Sequence, residues 1–396
     1  MSRVSRAWRI GWSLVVLIAA VSPSKASACP FCVARGPTLA QQIDATDDAL
    51  LGELVSRSEQ TAKFRPLVWL KRADDTRRGA EAEELVLPVT LAEQGRGLFL
   101  LLGEASSEPQ QPGEEAVPAA GPQPLRWQAT AIDEAGFAYL AKLPAARQPA
   151  AERLRYAARF LEHADPLVAA DAYLEFGHAP YDEVRQVADA FSQEKLRRWL
   201  ADPGVAGDRK GFYALALGLA QAPAERETNA ALLAKEIAAP ADDFRSGFDG
   251  ILAASLLLSG EQGLTKIEER ILANPKSRDG DVRHALSALR FYHDFGREIP
   301  PARLAEALHP LLDRPEFAAA AIVDLARWQD WSQLNRIGEL YDAPKFDTPA
   351  VREAAVGYLL VCPEPEAKAR LAKLRTQDPQ GVAAAEAGAA RFGGVK

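Results

Sequence analysis

The sequence predicts an α+β chain of two parts, a small β-rich module followed by an all-α array. Three observations carry that reading. Before residue 146 short apolar runs alternate with charged or glycine-containing turns. From residue 152 onward apolar and small residues recur at the helical period. Asp-Pro or a related helix-start pair returns there at spacings of about 35–40 residues, nearer 30 towards the end.

The chain begins with a segment that reads as an export signal. Arg3, Arg6 and Arg9 form a positive start, and Ile10 to Val21 is an uncharged apolar stretch of 12 residues. Ser22-Pro23-Ser24-Lys25 breaks it, and Ala26-Ser27-Ala28 supplies the small residues of a cleavage site. The apolar stretch falls short of the roughly 20 residues that a membrane-spanning helix needs. Residues 1–28 are therefore expected to be removed, which places the mature chain outside the cytoplasm; an uncleaved anchor is the alternative. Losing four basic residues leaves 43 basic against 54 acidic residues, a net charge of −11. Such a chain repels phosphate backbones, so nucleic acid is excluded as a partner. The apolar fraction of 48% supports a real core.

In the first part, Ala49–Val55, Phe64–Lys71, Glu84–Leu91 and Gly97–Leu102 read as strands. Leu125–Leu143 supplies a fifth and, around Asp133 to Gly136, a sixth. Residues 36–48 read as a short helix or turn. Pro66 and Pro88 imply edges or bulges, because proline cannot donate to a ladder. Residues 104–124, rich in Pro, Glu, Gly and Ala, lack apolar anchors and are expected to form a mobile acidic loop. The first module thus covers 29–145, with residues 144–151 as the boundary.

Residues 152–396 read as helices. Six starts recur: Asp165-Pro166, Asp202-Pro203, Asn274-Pro275, Asp313-Arg314-Pro315, Asp347-Thr348-Pro349 and Asp378-Pro379. Asp and Thr accept hydrogen bonds from first-turn amides, and proline suits the first helical position. Val282-Arg283 and Val351-Arg352 open two units of like internal order, each followed by alanines and leucines. Val351, Ala355, Tyr358 and Leu359 are expected to face the core, and Arg283 and Arg352 to bridge successive units or face solvent. This segment resembles HEAT-type repeats over roughly residues 152–390, in about six units. The resemblance implies an α-solenoid with an extended protein-binding surface.

The β-rich part also has a relative. Cys29 at the mature N-terminus, Cys32 shortly after, a helical stretch, then DALLGELV (48–55) and GRGLFLLLG (95–103) resemble the netrin/TIMP-like module. That resemblance implies an OB-like barrel of five strands. No cysteine lies between Val33 and Val361, so the family's further disulfides are missing and its protease-inhibiting activity does not carry over.

Cys29-Pro30-Phe31-Cys32 is the motif with chemical potential. It can close a local disulfide, exchange disulfides or contribute to a metal site. Redox use requires a helix N-terminus after a strand, and here the preceding residues are the signal. Val33 stands where haem attachment needs His, and no nearby His or Cys pair completes a zinc site. Cys29 is also a lipidation candidate, although Ala26 occupies the place where a lipoprotein signal carries Leu. The membrane is a partner only if Cys29 is lipidated or the signal stays uncleaved. The five histidines (His163, His178, His284, His293, His309) lack i, i+4 ligand spacing. No nucleophile elbow, P-loop or dinucleotide fingerprint occurs. Asp47-Asp48, Asp74-Asp75 and Asp242-Asp243 read as caps or solvated turns. Trp328 and Trp331, at i, i+3, are a candidate binding patch on one helix face. No metal site and no cofactor is expected. The sequence therefore points to an exported, non-enzymatic binding or scaffold protein with a protein partner. The alternative is an extracytoplasmic thiol-redox or metal-binding protein using Cys29 and Cys32.

Overall fold

The computed structural model describes residues 36–72, 84–88, 97–105, 125–240 and 245–392. The expected signal, Cys29, Cys32 and residues 106–124 of the expected loop lie outside the described residues.

The described chain opens with α1 (Leu39–Ala45), closed at its start by a reciprocal cap: Gln41 N–H donates to Thr38 Oγ1, and Thr38 N–H donates to Gln41 Oε1. Five antiparallel strands follow: β1 (Asp48–Arg57), β2 (Ala62–Lys71), β3 (Leu85–Leu87), β4 (Leu98–Ala105) and β5 (Leu125–Ile132). Their order is β3-β2-β1-β4-β5, a curled half-barrel. The β1–β2 register shifts at three places, one of them at Gly52 opposite Pro66. The bulge absorbs the missing proline donor and adds twist. Glu104 and Ala105 extend β4, pairing with Arg126 and Leu125, where the sequence suggested the loop already begins.

β1 and β4 are apolar on both faces because both faces are covered. Leu50, Phe64, Phe99 and Leu101 fill the inside of the curl, with Phe64 edge-on to Phe99 at 5.5 Å. Ala49, Leu51, Leu100 and Leu102 face the helices. The expected sixth strand is instead α2 (Glu134–Leu140). Asp133 accepts from Gly136 N–H at 2.7 Å, and this cap starts a helix where alternation suggested a strand.

Fourteen further α-helices follow in the described residues. They are α3 (Ala150–Ala157), α4 (Pro166–His178), α5 (Tyr181–Gln186), α6 (Gln193–Ala201), α7 (Gly207–Gly218), α8 (Pro223–Ala238) and α9 (Phe248–Ile267). Beyond them come α10 (Asp279–Phe295), α11 (Pro301–Glu306), α12 (Pro315–Arg327), α13 (Leu334–Leu340), α14 (Pro349–Val361), α15 (Pro365–Gln377) and α16 (Pro379–Phe392). Packing is dominated by alternate or adjacent helices, α7 with α9, α9 with α10, α12 with α14, and α14 with α16. One apolar core runs from Leu154 to Ala385. The closest approach is α7 to α9, where a Cβ on Gly250 would run into the Gly211 carbonyl.

Three of the six expected starts act as caps. Asp165 accepts from Leu167 N–H, Thr348 from Val351 N–H and Asp378 from Gly381 N–H. Asp202 and Asn274 instead close tight turns, accepting from Gly204 and Lys276 two residues on. Arg314, not Asp313, occupies the position before α12.

The β part and the helices meet over a shared core. Tyr139, Tyr156 and Val168 pack against the helix-facing side of the sheet. Asp171 of α4, 3% exposed, accepts from Leu39 N–H at 2.6 Å and from the Tyr139 hydroxyl at 2.7 Å. Tyr156 donates to the Tyr139 carbonyl at 2.7 Å.

Candidate binding groove between two helices

α12 and α14 lie side by side, and the chain leaves α12 through a left-handed turn. Gln329 N–H donates to the Ala326 carbonyl and Asp330 N–H to the Leu325 carbonyl at 2.9 Å, with Gln329 at φ +58°. This is a Schellman closure in which glutamine holds the place usually taken by glycine. The turn separates the two tryptophans. Neither lies within a helix, so the i, i+3 argument for a shared face does not apply. Trp328, 8% exposed, stacks on His293 at 4.8 Å with rings 9° apart. Trp331 meets the Tyr358 ring edge-on at 5.1 Å. Tyr358 donates its hydroxyl to the Asp330 carbonyl at 2.7 Å, which ties α14 to the turn.

Trp331 and Tyr358 line an open groove of about 720 Å³ between α12 and α14. That volume is within the usual range for ligand sites, roughly 300–1,000 Å³. Ala354 and Gly357 keep its α14 wall low. The rim is apolar: Val323 is 44% exposed and Val361 61%, with Leu360 beside it at 45%. Such residues together on one patch are a signal of a contact surface.

The polar side of the groove is built around Asp324, 2% exposed on α12. Arg290 of α10 places its Nε 2.9 and 2.8 Å from the two Asp324 oxygens. Burial pushes the Asp324 carboxyl up, and the Arg290, Arg327 and His293 charges oppose it. Asp330, below the turn, accepts from His309 Nε2 at 2.7 Å and from Ser332 N–H at 3.0 Å. Burial works against its ionisation, but these bonds prevail and hold it below the ordinary carboxylate range.

A second hollow of about 360 Å³ lies where β5 meets the starts of α2 and α4. Asp133 and Asp165 border it, but each carboxylate is engaged as a helix cap. His163 Nδ1 accepts from Asp165 N–H at 3.1 Å. The arrangement is accounted for by capping.

The remaining histidines are dispersed. His178 Nε2 lies 2.8 Å from the Gly36 carbonyl, and His284 packs edge-on to Phe248. Among the described residues no group of three or more His, Cys, Asp or Glu side chains is placed to hold a metal ion. Cys362 is a buried free thiol at the end of α14. The disulfide, thiol and lipidation assignments for Cys29 and Cys32 fall outside the described residues. No helix among the described residues is long and apolar enough to cross a membrane.

Reading the sequence found Trp331 but not its neighbours. Arg290 and Asp324 are 34 residues apart, on α10 and α12, so nothing local in the sequence brings them together. No family model, no curated protein and no solved structure matches this chain.

Proposed function

We propose that this chain is an exported, non-enzymatic binding protein in which HEAT-like helical hairpins behind an OB-like module present the α12–α14 groove to a protein partner. The observation that carries the reading is that groove: aromatic on its inner side, rimmed by exposed valines and lined by side chains from more than one helix.

The solenoid reading is supported by the distance at which the helices bond to one another. Arg245 bonds Asp281 36 residues on, Arg290 bonds Asp324 34 on, Arg303 bonds Glu268 35 back, and Tyr341 bonds Asp378 37 on. A period this regular supports stacked hairpins that each contact their neighbours, and such stacks act through extended surfaces. The OB-like reading is supported by five antiparallel strands with β1 central and bulged.

The test is affinity capture from the cell envelope with the full chain and two variants. A specific partner held by the parent should be lost with Val361→Asp, which charges the groove rim, and retained with Val55→Asp on the sheet. Equal capture by all three would remove the groove from the function. Turnover of a substrate without any partner would overturn the binding reading.

A further inference from the structure

The groove's polar and apolar parts are arranged for one kind of ligand. Arg290 uses only its Nε on Asp324, at 2.9 and 2.8 Å, and its two terminal nitrogens bond none of the described residues. Asp324 is itself nearly inaccessible, at 2%. It therefore acts as a buried clamp that fixes the guanidinium by one edge and leaves the other edge, with its parallel N–H groups, for an acceptor. Parallel donors of this kind match a carboxylate in bidentate fashion. Arg327, exposed on the same wall, adds positive potential and hydrogen-bonds to none of the described residues.

Between its polar residues the groove is apolar, with Trp331, Val323 and Val361 contributing accessible surface over the buried Tyr358 ring. Gln329, held in left-handed backbone where glycine is favoured, lines the same groove, and its side-chain amide bonds none of the described residues. Glutamine at such a position costs stability relative to glycine, and the helix end places its side chain at the groove. Its amide has both a donor and an acceptor for a peptide group. Glu353 on α14 supplies further acceptor oxygens suited to a backbone N–H.

A carboxylate and an apolar side chain within one groove are what the last residue of a polypeptide carries on a single Cα. We infer that the groove captures the free C-terminus of a partner protein ending in an apolar residue: Arg290 grips the carboxylate, and Trp331 with the exposed Val323 and Val361 receives the side chain. The inference rests on the groove being the docking surface proposed above and specifies its ligand. Charge complementarity is the deciding feature: Asp324 engages only the Nε of Arg290, whose terminal nitrogens stay open, and Arg327 adds a second cation against the one further carboxylate of the lining, Glu353.

The experiment uses the full chain and fluorescein-labelled hexapeptides of five alanines and a terminal phenylalanine, read by fluorescence anisotropy. One peptide ends in a free carboxylate and one in an amide; a third is amidated and carries glutamate before the phenylalanine. The free acid should bind about tenfold or more tighter than either amide, as expected for loss of a charge-assisted bidentate contact. Arg290→Ala alone would strand a buried carboxylate. The informative variant is therefore the pair Arg290→Gln with Asp324→Asn, which removes both charges and keeps a hydrogen-bonded couple. In that variant the acid and the simple amide should bind alike. Equal binding of acid and amide to the parent would overturn the inference and leave the docking surface standing, as would an acid preference that survives in the paired variant. A glutamate-containing amide that matches the acid would make the ligand an internal acidic segment instead. Absence of binding by every peptide also overturns it, whereas the docking reading is judged separately by the Val361→Asp capture.

Discussion

Asp171 ties the start of the described chain to α4, and its chemistry makes that tie depend on pH. Burial raises its carboxyl to about 6, against the favourable hydrogen bonds from Leu39 N–H and the Tyr139 hydroxyl, with Glu175 adding repulsion. Glu175 is in turn held by Arg153 at 3.1 Å. An acid whose folded pKa exceeds its unfolded value of 3.8 binds more protons in the native state between the two. Its contribution is therefore most favourable below pH 4, falls as pH rises towards 6, and is constant above. Two pK units correspond to roughly 3 kcal/mol. Asp171→Asn keeps one acceptor oxygen for Leu39 N–H, turns an amide N–H towards the Tyr139 hydroxyl oxygen, which then accepts, and removes the titration. Urea unfolding at pH 4 and pH 7.5 should show the variant gaining stability relative to the parent by about 2–3 kcal/mol at the higher pH. Parallel pH profiles for the two proteins would mean that Asp171 does not titrate in this range. None of this was legible in the sequence, where Asp171 is one acid among alanines on a helix. Its partners lie 132 residues upstream at Leu39 and 32 upstream at Tyr139, and burial is what perturbs it.

At the scale of an element, α14 is the helix whose orientation the sequence disclosed best. Val351, Ala355, Tyr358 and Leu359 are each at most 1% exposed, as the helical period required. The α14 start was also legible, since Thr348 caps it and Pro349 opens it. The arginines were less so. Arg352 pairs with Asp347 at 2.7 Å and lies 5.6 Å over the Tyr341 ring, which belongs to the preceding helix pair. Arg283, at the matching place in α10, lies 5.5 Å over Phe317 of the following one. The same position thus serves opposite neighbours, because side-chain reach rather than spacing decides which ring is met. Val351→Asp should cost on the order of 4 kcal/mol by burying an unpaired charge. Arg352→Ala should cost about 1 kcal/mol, since its ion pair is largely solvated and the ring contact is partly exposed. Urea unfolding of both variants beside the parent measures the contrast, and a neutral Val351→Asp would contradict the packing of α14. The turn after α12 shows where local reading stops. Spacing alone placed Trp328 and Trp331 on one face, but the left-handed Gln329 ends the helix between them and sends only Trp331 to the groove.

Across the whole molecule, the two-part architecture was legible because period changes along the chain: β5 ends at Ile132, and from Ala150 to Phe392 the regular elements are helical. How the parts join was not, because the joining residues look like ordinary members of their own elements. Ala49, Leu51, Leu100 and Leu102 could face either side of a sheet, and the continuous apolar runs of β1 and β4 hide which face meets the helices. The sequence suggested separable units at 29–145 and 152–396. The shared core argues for a different outcome. Cutting at 152 exposes Tyr156 and Val168, which are buried against the sheet, together with the half-buried Phe160 and Leu167. It also leaves Asp171 buried without the Leu39 and Tyr139 donors, and strips the helical array of its first covering surface. Terminal units of a helical stack need a polar or covered outer face to stay soluble. Residues 152–396 expressed alone should therefore aggregate or bind a hydrophobic dye. A fragment beginning at Gly36 should fold with the near-ultraviolet circular dichroism of the full chain. Replacing Tyr156, Phe160 and Val168 by polar residues in the short fragment should recover solubility without the β part, because it turns the exposed face into a cap. A short fragment that is already monomeric and cooperatively folded would instead mean that the contacts around Asp171 dock two independently stable units.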